Sequence, residues 1–241
     1  MIIIDDVIQG TDEWHDLRLG VFTASKSYLL FTEPTKKADR EAGKFSDGLN
    51  SYVFELLAEI VIKQRKDSFT SKAMEHGLEY EDEARKTYQL IKNINVHEVG
   101  IVYKDDMKIF GCSPDGLVKN EDGEFYKGIE IKCPNTDNHL KYFFNRDLLD
   151  FEKKYYAQVQ YSMYITGFDE WDFISYDPRM DKNNIIITTI KRDEEYMAII
   201  EKKLQSVSDF IFDRLKELDM WTSNGVEIHA ILLSRNKKNN I

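Results

Sequence analysis

Apolar residues recur along this chain at two spacings, and the change from one to the other organises it. Up to about residue 93 the spacing is that of helices. Thr11-Asp12 offers an N-cap, and Trp14, Leu17 and Arg18 fall at i, i+3 and i+4, one helical neighbourhood. Tyr52, Leu56, Ile60 and Val61 form an apolar stripe over a helix from Ser46 to about Lys66. Thr70 to about Asn93, rich in Ala, Glu and Lys, predicts a second long helix, while the polar stretch 32–47, with Pro34 and Gly43, predicts a loop. From residue 96 the pattern becomes that of strands. Val96–Tyr103, Lys108–Cys112, Gly116–Val118 and Phe125–Lys132 are short β-prone runs, the last two joined by the turn signal Asn120-Glu121-Asp122-Gly123. Residues 137–146 and 152–166 predict helices, Trp171–Tyr176 and Ile185–Ile190 strands, and Glu194 to about Leu218 a final helix. This order predicts an α/β or α+β chain with a mixed central sheet flanked by helices. No repeat, low-complexity tract or linker interrupts it, so a single domain over 1–241 is expected.

One predicted strand carries an anomaly. In GIEIKCP (Gly128–Pro134), alternation puts Ile129 and Ile131 on one face and Glu130 and Lys132 on the other. Taken alone, the acid and base read as a salt-bridged pair on a solvated face. The preceding strand changes that. In CSPDGLV (Cys112–Val118), Asp115 sits at a bend between proline and glycine, and two adjacent antiparallel strands can bring it close to Glu130. Facing carboxylates repel unless a cation lies between them. Mg²⁺ takes few protein carboxylates and keeps other positions for water and phosphate. A lysine beside such an ion can orient or deprotonate a water and steady a phosphoryl oxygen, a combination suited to phosphodiester hydrolysis.

Composition sets limits. The chain has 241 residues, 42% hydrophobic and 32% charged, as expected of an ordinary globular protein. No apolar run is long enough for a membrane span, and MIIIDDVIQG carries no signal pattern, so an intracellular (cytoplasmic) protein without membrane partners is expected. Two cysteines, Cys112 and Cys133, are too few for an iron–sulfur cluster and are expected to be reduced and buried. The net charge of −10 argues against a diffuse nucleic-acid-coating surface but permits a focused site. Basic residues do cluster locally, at Lys36, Lys37, Arg40 and Lys44 and again at Arg235, Lys237 and Lys238.

The PD and E-x-K signatures on consecutive strands resemble the PD-(D/E)XK nuclease superfamily with its restriction-endonuclease-like core. Six blocks extend the likeness: TDEWHDLRLGVFTAS (11–25), YEDEAR (80–85), SPDGLV (113–118), GIEIKCP (128–134), YYAQVQYSMYITG (155–167) and YDPRM (176–180). In this order they resemble the lambda-type phage exonucleases, the YqaJ-like viral recombinase family. The resemblance implies an Mg²⁺-dependent 5′-to-3′ exonuclease on double-stranded DNA ends, with two ions per site and Mn²⁺ able to substitute. It also implies release of 5′-mononucleotides, a homotrimeric ring and recombination with a single-strand annealing protein.

The resemblance further implies that Asp115, Glu130 and the Ile131 carbonyl bind metal, that Glu81 and Asp105 complete or support the site, and that Lys132 positions the attacking water. Arg18, Ser25, Ser113 and Gln158 would hold the 5′-phosphate, a role suited to a guanidinium fork and neutral donors. Met74 stands where a family member uses an apolar wedge, Lys36 and Lys37 would track the duplex backbone, and Trp14 reads as core. The run Asn135-Thr136-Asp137-Asn138 departs from the family, which can offer an arginine there. The alternatives are a site-specific endonuclease on the same fold and a catalytically silent DNA-end-binding module.

Overall fold

A computed structural model describes residues 1–64, 72–145 and 152–220, without the side chains of 72–78. Among the described residues nine strands form two sheets. The first has the order β1 (Ile2–Ile4), β4 (Ile101–Tyr103), β5 (Phe110–Cys112), β2 (Phe22–Thr23), with β2 parallel to β5 and the other pairs antiparallel. The second has the order β3 (Val96–His97), β6 (Gly116–Lys119), β7 (Phe125–Lys132), β8 (Glu170–Tyr176), β9 (Ile185–Lys191). Only β7 and β8 run parallel in it, and a helical segment connects them.

The expected strand Val96–Tyr103 is in fact two strands in different sheets, β3 and β4. The chain changes sheet around Gly100, whose N–H bonds Ile4 O at 2.8 Å. A Cβ at Gly100 would lie 2.7 Å from Val7 O, so only glycine passes there. The 32–47 stretch also differs from expectation, since it contains the short helix α2 (Lys37–Glu41).

The other helices follow the apolar pattern. They are α1 (Asp12–Leu17), α3 (Asp47–Ile62), α4 (Lys72–Lys92), α5 (Thr136–Phe144), α6 (Lys153–Thr166) and α7 (Glu194–Glu217). Thr11 caps α1 by accepting from Trp14 N, and Ser46 caps α3 by accepting from Leu49 N. A 3₁₀ helix, Ala24–Phe31, packs against α6.

The helices sort the two faces of the larger sheet. Ile129, Ile131, Ile174 and Tyr176 pack with Ala84 and Tyr88 of α4. Leu117, Trp171 and Phe173 belong to the main core with Tyr142, Val159 and Tyr161 from α5 and α6. β7 is thus covered on both sides, and its acid–base face looks toward α6 rather than toward water. Among the described residues no helix is long and apolar enough to cross a membrane.

Candidate active site

β6 and β7 pair antiparallel with Gly116 opposite Ile129, and the same register carries one step further sets Asp115 across from Glu130. Asp115 stands where the chain enters β6, and its Oδ2 accepts from Ile131 N at 2.5 Å. Glu130 is 2% exposed. Its Oε1 accepts from Lys132 Nζ and, at 2.5 Å, from Gln158 Nε2 on α6. The Lys132 ammonium lies 5.3 Å from the ring centroid of Tyr155, also on α6. The acid and base of GIEIKCP are therefore paired as the pattern suggested, but under a helix instead of on a solvated face, with Glu130 buried and Lys132 half-buried.

Glu81 reaches the same place from α4. Its carboxylate binds Arg85 Nη2 at 2.8 Å, and it feels the charges of Asp115 and Lys132. Glu81 is pushed up to about 7, by burial first and then by Asp115. Glu130 is also pushed up to about 7, by burial and by the charges of Asp115 and Glu81, although Lys132 pulls it down. Burial raises Asp115 as well, against the pull of Lys132 and Arg85. Burial drives Lys132 down, but Glu130 and Asp115 outweigh it and hold the ammonium above its ordinary range. Without a bound ion, Lys132 is therefore held in its protonated form beside Glu130.

Among the described residues, Asp115 Oδ1 and Glu130 Oε2 have no protein donor, and no three His, Cys, Asp or Glu side chains converge closely enough to hold an ion by themselves. Mg²⁺ asks for less, one or two carboxylates with water completing its shell. An all-oxygen pair of mutually repelling acids, each with one uncommitted oxygen, fits such an ion.

A second group of polar residues lies two residues upstream on the same strand entrance. Arg18 Nη1 donates to Ser113 Oγ at 2.9 Å. Trp14 Nε1 donates to the same hydroxyl at 3.1 Å and to Gly100 O at 2.8 Å. The guanidinium lies 4.3 Å from the centroid of the Trp14 ring. Ser25 follows β2, with its Oγ 3.4 Å from Thr23 Oγ1, and Tyr52 closes that side. Burial lowers Arg18, offset in part by Tyr52, Cys112, Tyr103 and Glu59. No carboxylate forms a salt bridge with it among the described residues, so this is a half-buried cation whose nearest polar partners are neutral.

The remaining expected site residues take these places. Gln158 donates to Glu130, because its turn of α6 faces β7. Asp105 lies in the turn after β4, where its Oδ1 accepts from Met107 N and its charge acts on Lys104 and Tyr164. Lys36 begins α2, and Lys37 lies 3.6 Å from Glu41, with Lys44 on Asp39 at 2.7 Å, so acids within that segment offset its basic character. Met74 falls within α4, but its side chain, like Arg235, Lys237 and Lys238, lies outside the described residues.

Sequence reasoning missed Arg85 and Tyr155, and it took Trp14 for core alone. Spacing offered a signal for two of them: Arg85 is i+4 from Glu81, and Arg18 is i+4 from Trp14.

The YqaJ-like viral recombinase domain model matches residues 13–169, which covers both polar groups. The chain belongs to this family. In structure, this YqaJ-like chain is similar to an alkaline exonuclease (LHK-Exo) from Laribacter hongkongensis: 30% identity, 87% of this chain and 96% of the other covered, TM-score 0.72. The same exonuclease in complex with dAMP gives the same identity and TM-score over 86% of this chain and 96% of that one. A phage-related exonuclease from Haemophilus somnus shares the fold at 18% identity over 82% and 96% of the two chains, TM-score 0.62. The uncharacterized ExoD protein of Escherichia coli is 39% identical over 64 residues, which is 27% of this chain and 74% of that protein. The mixed sheets and flanking helices are the PD-(D/E)XK fold of these exonucleases.

Proposed function

We propose that this chain is an Mg²⁺-dependent exonuclease that degrades one strand of duplex DNA from the 5′ end and releases 5′-mononucleotides. Family membership and the likeness to an alkaline exonuclease support a nuclease acting on DNA. The observation that carries the finer reading is the linkage of the two polar groups. Ser113 binds Arg18 and Asp115 faces Glu130, and only Pro114 separates them. Two residues of extended chain span at most about 7 Å. A phosphate gripped at Arg18 would therefore present the next phosphodiester of the strand to the acids. The dAMP complex of the Laribacter hongkongensis enzyme supports a mononucleotide-sized site.

Each residue has a definable task. Arg18, steadied by Trp14 and Ser113, holds the terminal phosphate with charged donors. Asp115 and Glu130, with the carbonyl of Ile131 next to Glu130 in the chain, would hold the ion, and Glu81 would support it. A divalent ion there would polarise the phosphodiester and acidify a bound water. Lys132, protonated, donates to the water or to a phosphoryl oxygen and offsets developing charge. Gln158 fixes the Glu130 carboxylate against β7.

Two Mg²⁺ ions per site, Mn²⁺ as a substitute, closure of three copies into a ring and a partnership with a single-strand annealing protein belong to the same proposal. They are supported by the resemblance to lambda-type exonucleases.

The test is Lys132→Met with linear duplex and Mg²⁺. Turnover should fall by about 10²–10⁴-fold while binding of duplex ends persists. Turnover near that of the unmodified protein would overturn the assignment.

A further inference from the structure

We propose that Arg85 is a positioning residue for the metal-binding acids, a rigid fork that sets the backbone of Asp115 and the carboxylate of Glu81 in one frame. The inference rests on the metal-dependent nuclease reading. Arg85 is 7% exposed, and all three of its guanidinium nitrogens are engaged. Nε donates to the carbonyl of Asp115 at 2.9 Å, and Nη2 donates to Glu81 Oε1 at 2.8 Å. Nη1 lies 3.2 Å from Glu98 Oε2 and 3.5 Å from Asp82 Oδ1. Glu98 belongs to the connection between β3 and β4, so one planar group joins α4, that connection and the entrance to β6.

The consequence is geometric. Asp115 is held on its carboxylate by Ile131 N and on its carbonyl by Arg85, so neither its backbone nor its side chain can turn without breaking a bond. Glu81 is fixed by the same guanidinium that fixes Asp115, which ties the helix acid to the strand acid although they come from different elements. A lysine at this position would keep the charge but lose the planar fork that serves three directions at once. A purely structural role, by contrast, predicts lower thermal stability with unchanged affinity for metal in the folded protein.

The full chain, Arg85→Lys and Glu98→Gln would be compared by calorimetric titration with Mn²⁺ in the absence of DNA, and by the Mg²⁺ concentration that half-saturates cleavage. Arg85→Lys should weaken Mn²⁺ binding by roughly 10-fold or more and raise the Mg²⁺ requirement in parallel, with kcat recovering at saturating Mg²⁺. Glu98→Gln, a substitution at a side chain 70% exposed, should shift both quantities the same way by less, and it carries the test if Arg85→Lys fails to fold. Unchanged Mn²⁺ affinity in the folded variants would overturn the proposal. An unmodified chain that binds Mn²⁺ but cuts no DNA would overturn the nuclease reading instead, leaving the calorimetric comparison to decide the role of Arg85.

Discussion

For individual side chains, protonation governs what the acid cluster can do. Glu81 and Glu130 rise from an ordinary 4.5 to about 7, through burial first and then the neighbouring acid charge. A carboxyl raised on folding binds its proton more tightly in the folded state. The ion-free protein should therefore lose stability as pH climbs from about 4.5 to about 7. Thermal melts across that window should show a falling Tm in the unmodified chain and a flatter profile in Glu130→Gln. Divalent metal competes with these protons, so cleavage should rise with pH through about 7, and higher Mg²⁺ should move that limb to lower pH. A limb insensitive to Mg²⁺ would separate the acids from metal binding. Gln158 supplies a sharper test of placement. Because it holds Glu130, Gln158→Ala should slow turnover by roughly 10–100-fold on 5′-phosphorylated and 5′-hydroxyl ends alike, whereas Arg18→Ala should harm phosphorylated ends selectively. Kinetics on the two kinds of end decide between them.

Among the elements, β7 carries most of the site, and its position depends on close packing. A Cβ on Gly128 would lie 2.2 Å from the Trp171 ring on neighbouring β8, and Trp171 is fully buried. Gly128→Ala should cost about 1–3 kcal/mol, measured by denaturant unfolding, and should lower activity by displacing Glu130. The strand itself was legible in the sequence because its alternation and the Asn120 turn were both strong signals, and Asn120 Oδ1 does accept from Asp122 N and Glu124 N. The acids at its end were legible through Pro114-Asp115 and the Glu130-x-Lys132 spacing. β1 and β2 escaped notice because three and two residues make no period. The break within 96–103 is set by contacts with Val7 and Ile4, nearly a hundred residues away, which no local pattern records. The bond from Gln158 to Glu130 was not foreseen, since helical spacing says which residues share a face and not which strand that face meets.

For the whole molecule, charge and topology work in opposite senses. A net charge of −10 repels DNA at long range, so a productive approach calls for local cations, and the fold sets two of them, Arg18 and Lys132, around neighbouring strand ends. Topology does this by placing Ser113 and Asp115 on one sheet entrance, where α1 bonds Ser113, α4 bonds the Asp115 carbonyl and α6 bonds Glu130. The most direct measurement is digestion of a linear duplex bearing a 5′-phosphate on one strand and a 5′-hydroxyl on the other, in Mg²⁺, beside a closed circle. Loss of the phosphorylated strand to mononucleotides, with the circle intact, is the predicted result. Cutting of the circle, or equal loss of both strands, would contradict it.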